Sequence, residues 1–320
     1  MRWRRPASRS RESELTSEGL DAAARYTAAI VTFRRPESLA IVLRTLRAQS
    51  VLPSLTVVAD NDPDESARSV VDTARAEWPG EILYAPVGKN LGPAGGWAHA
   101  VATATPMRAL RGDWVLVIDD DDPFDSPDLV GCLLDQAAGH GTVLAGIGLR
   151  GARWDRARAR LVRVEPPEGH DAPVDYLAGN GAPLYAWSAI DSVGFFNPQL
   201  FFGFEDLELG FRLASEGWHL RVAPHPSMQV VPDTGKTRSA WREYYKTRAL
   251  VWTLRHHRGP YAQAVSLGRS TLLGGLRLAV IDRQPGLAKA RLSGAWDGLR
   301  DRLGVRRYHP VANPPKKRAE

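Results

Sequence analysis

Short apolar runs alternate with segments of helical periodicity along the first half of the chain, beginning near Tyr26. After the first run, Leu39, Val42, Leu43 and Leu46 fall at i, i+3, i+4 and i+7, which predicts a helix with one face on a sheet. Strands are predicted at 28–32, 56–59, 82–84 and 114–118, with further helices at 65–77 and 96–103. This alternation indicates an α/β fold, a mostly parallel sheet flanked by helices.

The pattern changes after Asp122. The sequence predicts a helix at 128–138, a strand at 143–147, an irregular stretch at 150–173, a helix at 205–216 and a strand at 220–222. From Ser239 onward it predicts three helical segments, with breaks at Gly259-Pro260 and Pro285-Gly286. We therefore expect a disordered basic segment (1–24), an α/β domain (25–238), a helical region (239–304) and a disordered basic tail (305–320).

Composition is that of a globular protein with a sizeable core. The 320 residues are 43% hydrophobic and 24% charged, which argues against a wholly disordered or fibrous chain. The single cysteine, Cys132, excludes an internal disulfide framework and a multi-cysteine zinc site. A bound metal ion would therefore need oxygen or imidazole ligands.

Charge is distributed unevenly. Residues 255–320 contain 14 Lys and Arg against 4 Asp and Glu, whereas the formal net charge of the whole chain is +6. We expect no nucleic-acid partner, because the basic excess lies at the C-terminus while the middle of the chain is acidic. The basic helices would suit contact with anionic lipid, and a merely solvated basic face is the alternative.

No stretch reaches the roughly 20 apolar residues that a membrane-spanning helix needs. The longest nearly apolar run, 271–281, is interrupted by Arg277, and the arginine-rich N-terminus lacks the apolar core of a secretory signal. We therefore expect a cytoplasmic protein with peripheral contact to the inner face of the plasma membrane.

Four consecutive carboxylates, residues 119–122, follow the buried run 115–118. Like charges this close raise one another's pKa, so their retention at a strand end indicates a neutralising cation. A hard divalent ion such as Mg²⁺ or Mn²⁺, shared with substrate phosphates, would supply that charge. Strand alternation makes Asp119 and Asp121 the expected ligand pair. A solvated acidic loop before Pro123 is the alternative.

Two other polar groups follow predicted strands. Asp60 and Asn61 end the second strand, although Asp-Asn-Asp-Pro is also an ordinary turn sequence. The glycine-rich stretch 90–97 lies between a strand and a helix, where close backbone approach and a helix N-terminus favour a phosphate. It is neither a GxGxxG nor a GxxxxGK[ST] sequence, which argues against dinucleotide-binding and P-loop chemistry.

An aromatic run precedes a third acidic group, in the sequence FFGFEDLE at 201–208. Carboxylates in the first turn of a helix are ordinary complements of the helix dipole. A carboxylate beside apolar aromatics can instead act as a general base, since partial desolvation raises its proton affinity. Trp241, Tyr244 and Tyr245 could likewise stack on a sugar or belong to the core.

Seven motifs together resemble glycosyltransferase family 2, which has the GT-A fold. They are, in order, IVTFRRPESL, VVADND, NLGPAGGWA, WVLVIDDDD, YLAGNGAPL, FFGFEDLELGFRL and YYKTRALV, within residues 26–258. The sequence is most similar to bacterial galactofuranosyltransferases and rhamnosyltransferases, and its third and fourth motifs favour the former.

The resemblance implies a role for each matching residue. Asp206, with Glu205 beside it, would be the catalytic base of an inverting transferase. Asp119 and Asp121 would bind Mn²⁺ or Mg²⁺. The implied donor-binding residues are Thr32, Phe33, Arg34, Asp60, Asn90, Gly92, Gly96, Asp119, Asp120, Gly179 and Asn180. One departure is the absence of a metal-binding histidine in the region 222–232, where His225 lies earlier than expected.

The implied function is transfer of a sugar, with UDP-galactofuranose as the expected donor, to a glycan, lipid-linked or small-molecule acceptor in bacterial cell-surface synthesis. A dTDP-rhamnose-dependent transferase is the first alternative. A nucleotidyltransferase would share the fold, but no basic glycine-rich triphosphate loop lies near the first strand. A non-catalytic carbohydrate-binding or scaffold protein is the remaining alternative.

Overall fold

The computed structural model describes residues 25–155, 157–158, 160–225 and 239–306. The strands are β1 (Tyr26–Thr32), β2 (Leu55–Asp60), β3 (Glu81–Pro86), β4 (Trp114–Asp119), β5 (Leu144–Gly148), β6 (Gly151–Asp155), β7 (Arg160–Arg163), β8 (Ala172–Val174), β9 (Tyr176–Leu177), β10 (Leu184–Ala186) and β11 (His219–Val222). The helices are α1 (Pro36–Arg47), α2 (Arg68–Arg75), α3 (Gly92–Ala104), α4 (Leu129–Ala138), α5 (Trp187–Val193), α6 (Glu205–Ser215), α7 (Ala240–Ser266), α8 (Gly274–Val280) and α9 (Pro285–Leu299). A π-helical segment, Leu267–Leu273, joins α7 to α8.

The main sheet has eight strands in the order β3-β2-β1-β4-β10-β5-β11-β8. Its first four strands are parallel, and β10 is antiparallel to both of its neighbours. A smaller sheet has the order β7-β6-β9. The predicted α/β class is confirmed, with the carboxyl ends of β1, β2 and β4 at one edge.

Both faces of the main sheet are buried, as parallel sheets require. Side chains of β1 alternate between two core clusters: Ala29 and Val31 pack in the cluster that includes α3, and Ala28 and Ile30 pack in the cluster that includes α1 and α4. The predicted apolar face of α1 is confirmed, since Leu39, Val42, Leu43 and Leu46 are its buried residues. Apolar burial on both faces holds the strand ends in fixed positions.

The prediction of an irregular stretch at 150–173 is wrong, because β6, β7 and the first residues of β8 lie there. Strand β7 has only half-buried and exposed residues, so its sequence RLVR carries no apolar alternation that would identify it. Its backbone is ordered by antiparallel pairing with the preceding strand β6, which the side-chain pattern of β7 does not encode.

The C-terminal helices pack against the α/β part through an aromatic cluster that includes Phe201, Tyr244 and Tyr245. The predicted break in α7 is confirmed at Gly259, whose φ of 82° is left-handed and precedes Pro260. The second predicted break is confirmed as well, because α9 begins at Pro285. The predicted disorder of 1–24 and of 305–320 concerns residues outside those described, except for 305 and 306. The Arg306 amide donates to the Tyr245 hydroxyl at 3.1 Å.

Among the described residues, none of the helices combines the length and the hydropathy that crossing a membrane would take.

Candidate functional site

The strand register brings the predicted polar residues to one edge of the sheet. Thr32 is the partner of Asp60 across β1 and β2, and Val31 is the partner of Asp119 across β1 and β4. The last residues of three neighbouring parallel strands therefore stand side by side, where open α/β sheets bind ligands.

The three carboxyl groups of Asp119, Asp120 and Asp121 offer ligand oxygens that all lie within 4.8 Å of one another. Asp120 is buried, and one of its oxygens accepts hydrogen bonds from the Thr32 hydroxyl at 2.9 Å and the Phe33 amide at 3.1 Å. Asp119 is half-buried and Asp121 is exposed. The hydrogen bonds fix Asp120, while its two neighbours face the more open side of the cluster.

Arg35 is the cation that neutralises part of this cluster. One of its terminal nitrogens lies 2.9 Å from both Asp120 Oδ1 and Asp121 Oδ2. Burial raises the pKa of Asp120, although the Arg35 charge opposes that rise. Burial and the neighbouring carboxylates raise the pKa of Asp119 well above its usual range. The cluster thus holds more negative charge than Arg35 offsets, and its all-oxygen donor set suits Mg²⁺ or Mn²⁺.

The loop before α3 is tied to the strand ends by Asn61. Its side-chain amide donates to the Gly92 carbonyl at 2.9 Å, and its oxygen accepts from the Leu91 amide at 3.4 Å. Asn90 accepts from the Gly92 amide at 2.8 Å. Gly92 has φ of +69°, and a Cβ there would lie 2.1 Å from the Phe201 carbonyl oxygen. Glycine therefore allows the loop to approach the Phe201 backbone.

Two other predicted donor-binding residues have packing roles. A Cβ on Gly96 would lie 2.2 Å from Val31 Cγ2, so glycine lets α3 pack closely on β1. Asp60 is fully buried and accepts hydrogen bonds from the amides of Asp62 and Ala67 and from the Tyr84 hydroxyl. Neither residue lines the cleft described below.

Of the remaining predicted donor-binding residues, Arg34 lines the cleft, whereas Gly179 and Asn180 do not. Arg34 has a positive φ of 55° and forms ion pairs with Asp62 at 3.0 Å and Asp64 at 2.9 Å. Gly179 and the exposed Asn180 form a short turn outside the cleft lining. A Cβ on Gly179 would lie 3.3 Å from the Trp97 ring, so this turn packs on α3.

A cleft of about 220 Å³ opens at the strand ends. The predicted residues Thr32, Phe33 and Arg34 line it together with Asn90, Gly92 and the three carboxylates. The other lining residues are Val31, Arg35, Asn61, Pro93, Phe201, Phe202, Trp241, Arg242 and Lys246. The cleft therefore combines carboxylates, cations and aromatic rings, a set suited to a phosphate-bearing ligand with ring systems.

A strained turn lies between the cleft and α6. Phe201 has φ of 70° and ψ of −59°, and the Phe202 amide donates to the Leu200 carbonyl at 2.9 Å, which together define a γ-turn. Phe204 also has a positive φ, 63°, immediately before α6 begins. Such backbone is uncommon for bulky residues and persists only where surrounding structure enforces it. It orients Phe201 and Phe202 to the cleft and starts α6 with its acidic turn.

The first two residues of α6 are acids held close to neutrality. Burial raises the pKa of Asp206 to about 7, and burial together with the Asp206 charge raises the pKa of Glu205 to about 8. Glu205 Oε2 is buried without a hydrogen-bond partner in the described part of the chain. Both carboxyl groups also feel the charge of Lys246, which lowers their pKa values and which lines the cleft.

Glu208, the third acid of this turn, is different. It pairs with Arg212 at 2.8 Å and with His257 at 3.3 Å. Although burial opposes the effect, hydrogen bonds from His257 and Arg212 lower the pKa of Glu208. Glu208 is thus an ion-paired structural carboxylate, and Glu205 and Asp206 remain as candidate proton acceptors.

Sequence reasoning missed several cleft residues. Arg35 was overlooked because it precedes a helix and pairs with residues 85 and 86 positions away. Lys246 and Arg242 come from α7, whose contact with the cleft is tertiary. The three aromatic residues that could either stack on a sugar or belong to the core differ in position. Trp241 lines the cleft, whereas Tyr244 and Tyr245 are fully buried in the core.

His225 lies apart from the Asp119–Asp121 cluster. His225 groups with Asp128 and Cys132, whose ligand atoms lie within 4.8 Å of one another, and not with the Asp119–Asp121 cluster. The remainder of the expected region, from 226 onward, lies outside the described residues.

Comparison with known proteins gives clear similarities. The family model described as glycosyltransferase like family 2 matches residues 23–251. Galactofuranosyltransferase GlfT1 of Mycolicibacterium smegmatis is 30% identical over 209 residues, 59% of this chain and 65% of that protein. GlfT1 of Mycobacterium tuberculosis H37Rv is 32% identical over 211 residues, 59% of this chain and 64% of that protein. The chain thus matches slightly under two thirds of the length of these relatives.

Solved structures show the same fold. Mannosyltransferase PcManGT from Pyrobaculum calidifontis, in complex with GDP-Man and Mn²⁺, has a TM-score of 0.55 and 15% identity, covering 87% of this chain and 88% of that one. S. aureus TarS 1–349 in complex with UDP has a TM-score of 0.52 and 13% identity, covering 90% and 94%. The sheet and its flanking helices are those of a GT-A fold, and a C-terminal helical region follows them.

Proposed function

The chain belongs to the glycosyltransferase-like family 2, and on that basis we propose that it is a nucleotide-sugar transferase, which moves galactofuranose from UDP-galactofuranose to an acceptor hydroxyl with inversion at the anomeric carbon. The carrying observation is an oxygen-rich carboxylate cluster that lines the cleft. It is accompanied by the acid pair Glu205 and Asp206, which does not line the cleft but feels the charge of the cleft residue Lys246. The mycobacterial relatives named galactofuranosyltransferase support the choice of sugar.

Asp119 and Asp121 would hold a Mn²⁺ or Mg²⁺ ion, since Asp120 already accepts hydrogen bonds from Thr32 and Phe33. Arg35 contacts Asp120 and Asp121 alike, so it does not distinguish between them. The ion would neutralise charge on the nucleoside diphosphate leaving group. Asp120 keeps the cluster in place on β1, so it acts as a positioning residue. The structure of PcManGT in complex with GDP-Man and Mn²⁺ supports this assignment.

Asp206 would accept the proton of the acceptor hydroxyl. Its raised pKa makes it a stronger base than an ordinary carboxylate while leaving it substantially ionised near neutral pH. The nearby charge of Lys246 favours the ionised form. The deprotonated oxygen attacks the anomeric carbon as the bond to the diphosphate breaks, and attack from the opposite side inverts the configuration.

Cleft side chains would bind and orient the donor. Phe33, Phe202 and Trp241 offer ring faces for a base or sugar, and Trp241 and Phe202 pack against each other with centroids 4.8 Å apart. Arg242 and Lys246 add positive charge on the α7 side of the cleft, opposite in sign to the diphosphate.

The proposal is tested with donor binding and hydrolysis, with and without Mn²⁺ or Mg²⁺, for UDP-galactofuranose, UDP-galactopyranose, UDP-glucose and dTDP-rhamnose. We expect metal-dependent selectivity for UDP-galactofuranose. Asp121→Asn should weaken metal-dependent donor binding by about tenfold or more. Asp125→Asn, an exposed acid outside the cluster, is the matched control.

Each contrary outcome identifies a different error. Preference for dTDP-rhamnose would replace the donor with that of the rhamnosyltransferases. Equal donor binding by Asp121→Asn would remove Asp121 from the metal site. Absence of binding to all four donors would reject the proposed donor class.

A further inference from the structure

The π-helical segment and α8 present large aliphatic side chains to solvent. Leu272, Leu273, Leu276, Val280 and Ile281 are 62%, 64%, 61%, 64% and 71% exposed. We call these five residues the aliphatic face. Together they expose roughly 500 Å² of apolar surface, which is the size of the largest patch on a typical monomer, a patch that is often functional.

The aliphatic face is separate from the contacts that hold the helix in place. On the other side of α8, Leu278 is 2% exposed and packs with Leu287 and Ala288 at the start of α9. Gly275 is buried on that side as well. The segment is therefore apolar on both sides, and only one side is covered by the rest of the chain.

Charge around the aliphatic face is positive. Arg269, Arg277 and Arg283 are exposed within or beside it. Residues 255–306 contain ten Lys and Arg and three Asp. Each Asp has a partner: Asp282 lies 3.9 Å from Arg277, Asp301 3.4 Å from Arg255, and the buried Asp297 accepts from the Tyr244 hydroxyl. The segment 255–306 that carries the aliphatic face thus has a net positive charge, and Arg269 and Arg283 are exposed beside that face.

An aliphatic helix face bordered by arginines is the complement of an anionic membrane surface. Aliphatic side chains enter the boundary between headgroups and acyl chains, while arginines remain at the level of lipid phosphates. We propose that the aliphatic face inserts into an anionic bilayer and holds the enzyme at the membrane as a peripheral protein. This role adds insertion to the charge attraction that the sequence predicts, and it does not depend on the identity of the donor sugar.

The proposal is tested by flotation of the full-length protein with vesicles of phosphatidylcholine alone and of phosphatidylcholine and phosphatidylglycerol in equal parts. We expect binding to the anionic vesicles and little binding to the neutral ones. Leu276→Ser with Val280→Ser should reduce the bound fraction by about tenfold, because it removes two inserting side chains. The matched control is Leu52→Ser with Val143→Ser, which changes the same two residue types at exposed positions elsewhere.

Thermal unfolding and donor binding of each variant verify that it is folded and separate this test from that of the donor. If wild type bound vesicles but none of the four donors, the membrane-binding role of the aliphatic face would be supported and the proposed donor would be rejected. Equal vesicle binding by Leu276→Ser/Val280→Ser and wild type would overturn the inference. The inference would also be overturned if wild type were a dimer that does not bind vesicles and if Leu276→Ser/Val280→Ser were a monomer. The aliphatic face would then be an interface between two copies.

Discussion

Asp206 combines a half-buried position at the start of α6 with a pKa of about 7. A general base must be deprotonated, so kcat/KM should rise with pH through about 7 and level off above it. Asp206→Asn cannot accept the proton, and its turnover should fall by about 10²- to 10⁴-fold with little change in donor affinity. A pH series of initial rates, with donor binding measured separately, checks both expectations.

The control for Asp206→Asn is Glu216→Gln, which removes an exposed acid just after the same helix. Its rate should match wild type across the pH series. If Asp206→Asn kept a normal rate and the same rising limb, the base would have to be another group, and Glu205→Gln would be the next variant to measure.

The same pKa shift has a consequence for stability. The folded-state pKa of Asp206 is raised above its unfolded value, so ionisation favours the unfolded chain as pH rises from about 4 to about 7. Asp206 therefore lowers the stability of wild type over that range, on the order of 1–4 kcal/mol, and Asp206→Asn lacks this contribution. The raised pKa of Glu205 acts in the same direction in both proteins. Denaturant unfolding at pH 5 and pH 8 should show the variant gaining relative to wild type at the higher pH. If the difference in free energy of unfolding between the variant and wild type were the same at pH 5 and pH 8, the raised pKa of Asp206 would be contradicted.

Helix α3 owes its position to small residues. Gly96 faces Val31 so closely that a Cβ would lie 2.2 Å from Val31 Cγ2 and 2.8 Å from Asn61 Nδ2. Gly96→Ala should push α3 away from β1 and lower the free energy of unfolding by about 1–3 kcal/mol. The displacement should also weaken donor binding, because Asn61 fixes the loop that lines the cleft.

Gly286→Ala is the matched control, since a Cβ on this α9 residue would meet no atom within 4 Å. It should leave the free energy of unfolding unchanged or slightly higher. Denaturant unfolding of both variants decides the point. A Gly96→Ala protein as stable as Gly286→Ala would mean that the α3–β1 contact is looser than described.

For individual helices and strands, the sequence predicts those whose hydrophobic and polar residues alternate in a recognisable local pattern. The four buried residues of α1 follow directly from helical spacing, and the carboxylates after β4 follow from a buried strand that ends in acids. Strand β7 could not be predicted, because its residues are exposed and only pairing with β6 orders them. Arg35 and Lys246 were missed for a related reason: each reaches the site through contacts with residues far away in the sequence.

At the scale of the whole molecule, the C-terminal helices contribute side chains to the cleft and pack on the chain beside it. Trp241, Arg242 and Lys246 of α7 line the cleft. Arg248, one turn further on, is fully buried, and its guanidinium donates to the carbonyls of Leu200 at 2.9 Å and Gly304 at 2.6 Å. It thereby connects α7 to the chain that enters the Phe201 turn and to the segment that follows α9.

These contacts predict that the protein unfolds as one unit and that Arg248 controls both stability and binding. Arg248→Met should lower the free energy of unfolding by about 2–4 kcal/mol, because buried carbonyls lose their donor. It should also weaken UDP binding through the Phe201 turn.

The control is Arg255→Met, which removes an exposed arginine of the same helix and should cost less than about 1 kcal/mol. Calorimetry and near-ultraviolet circular dichroism should show a single coincident transition for all three proteins; a helical region that melts separately, or unchanged UDP binding in Arg248→Met, would disprove this coupling.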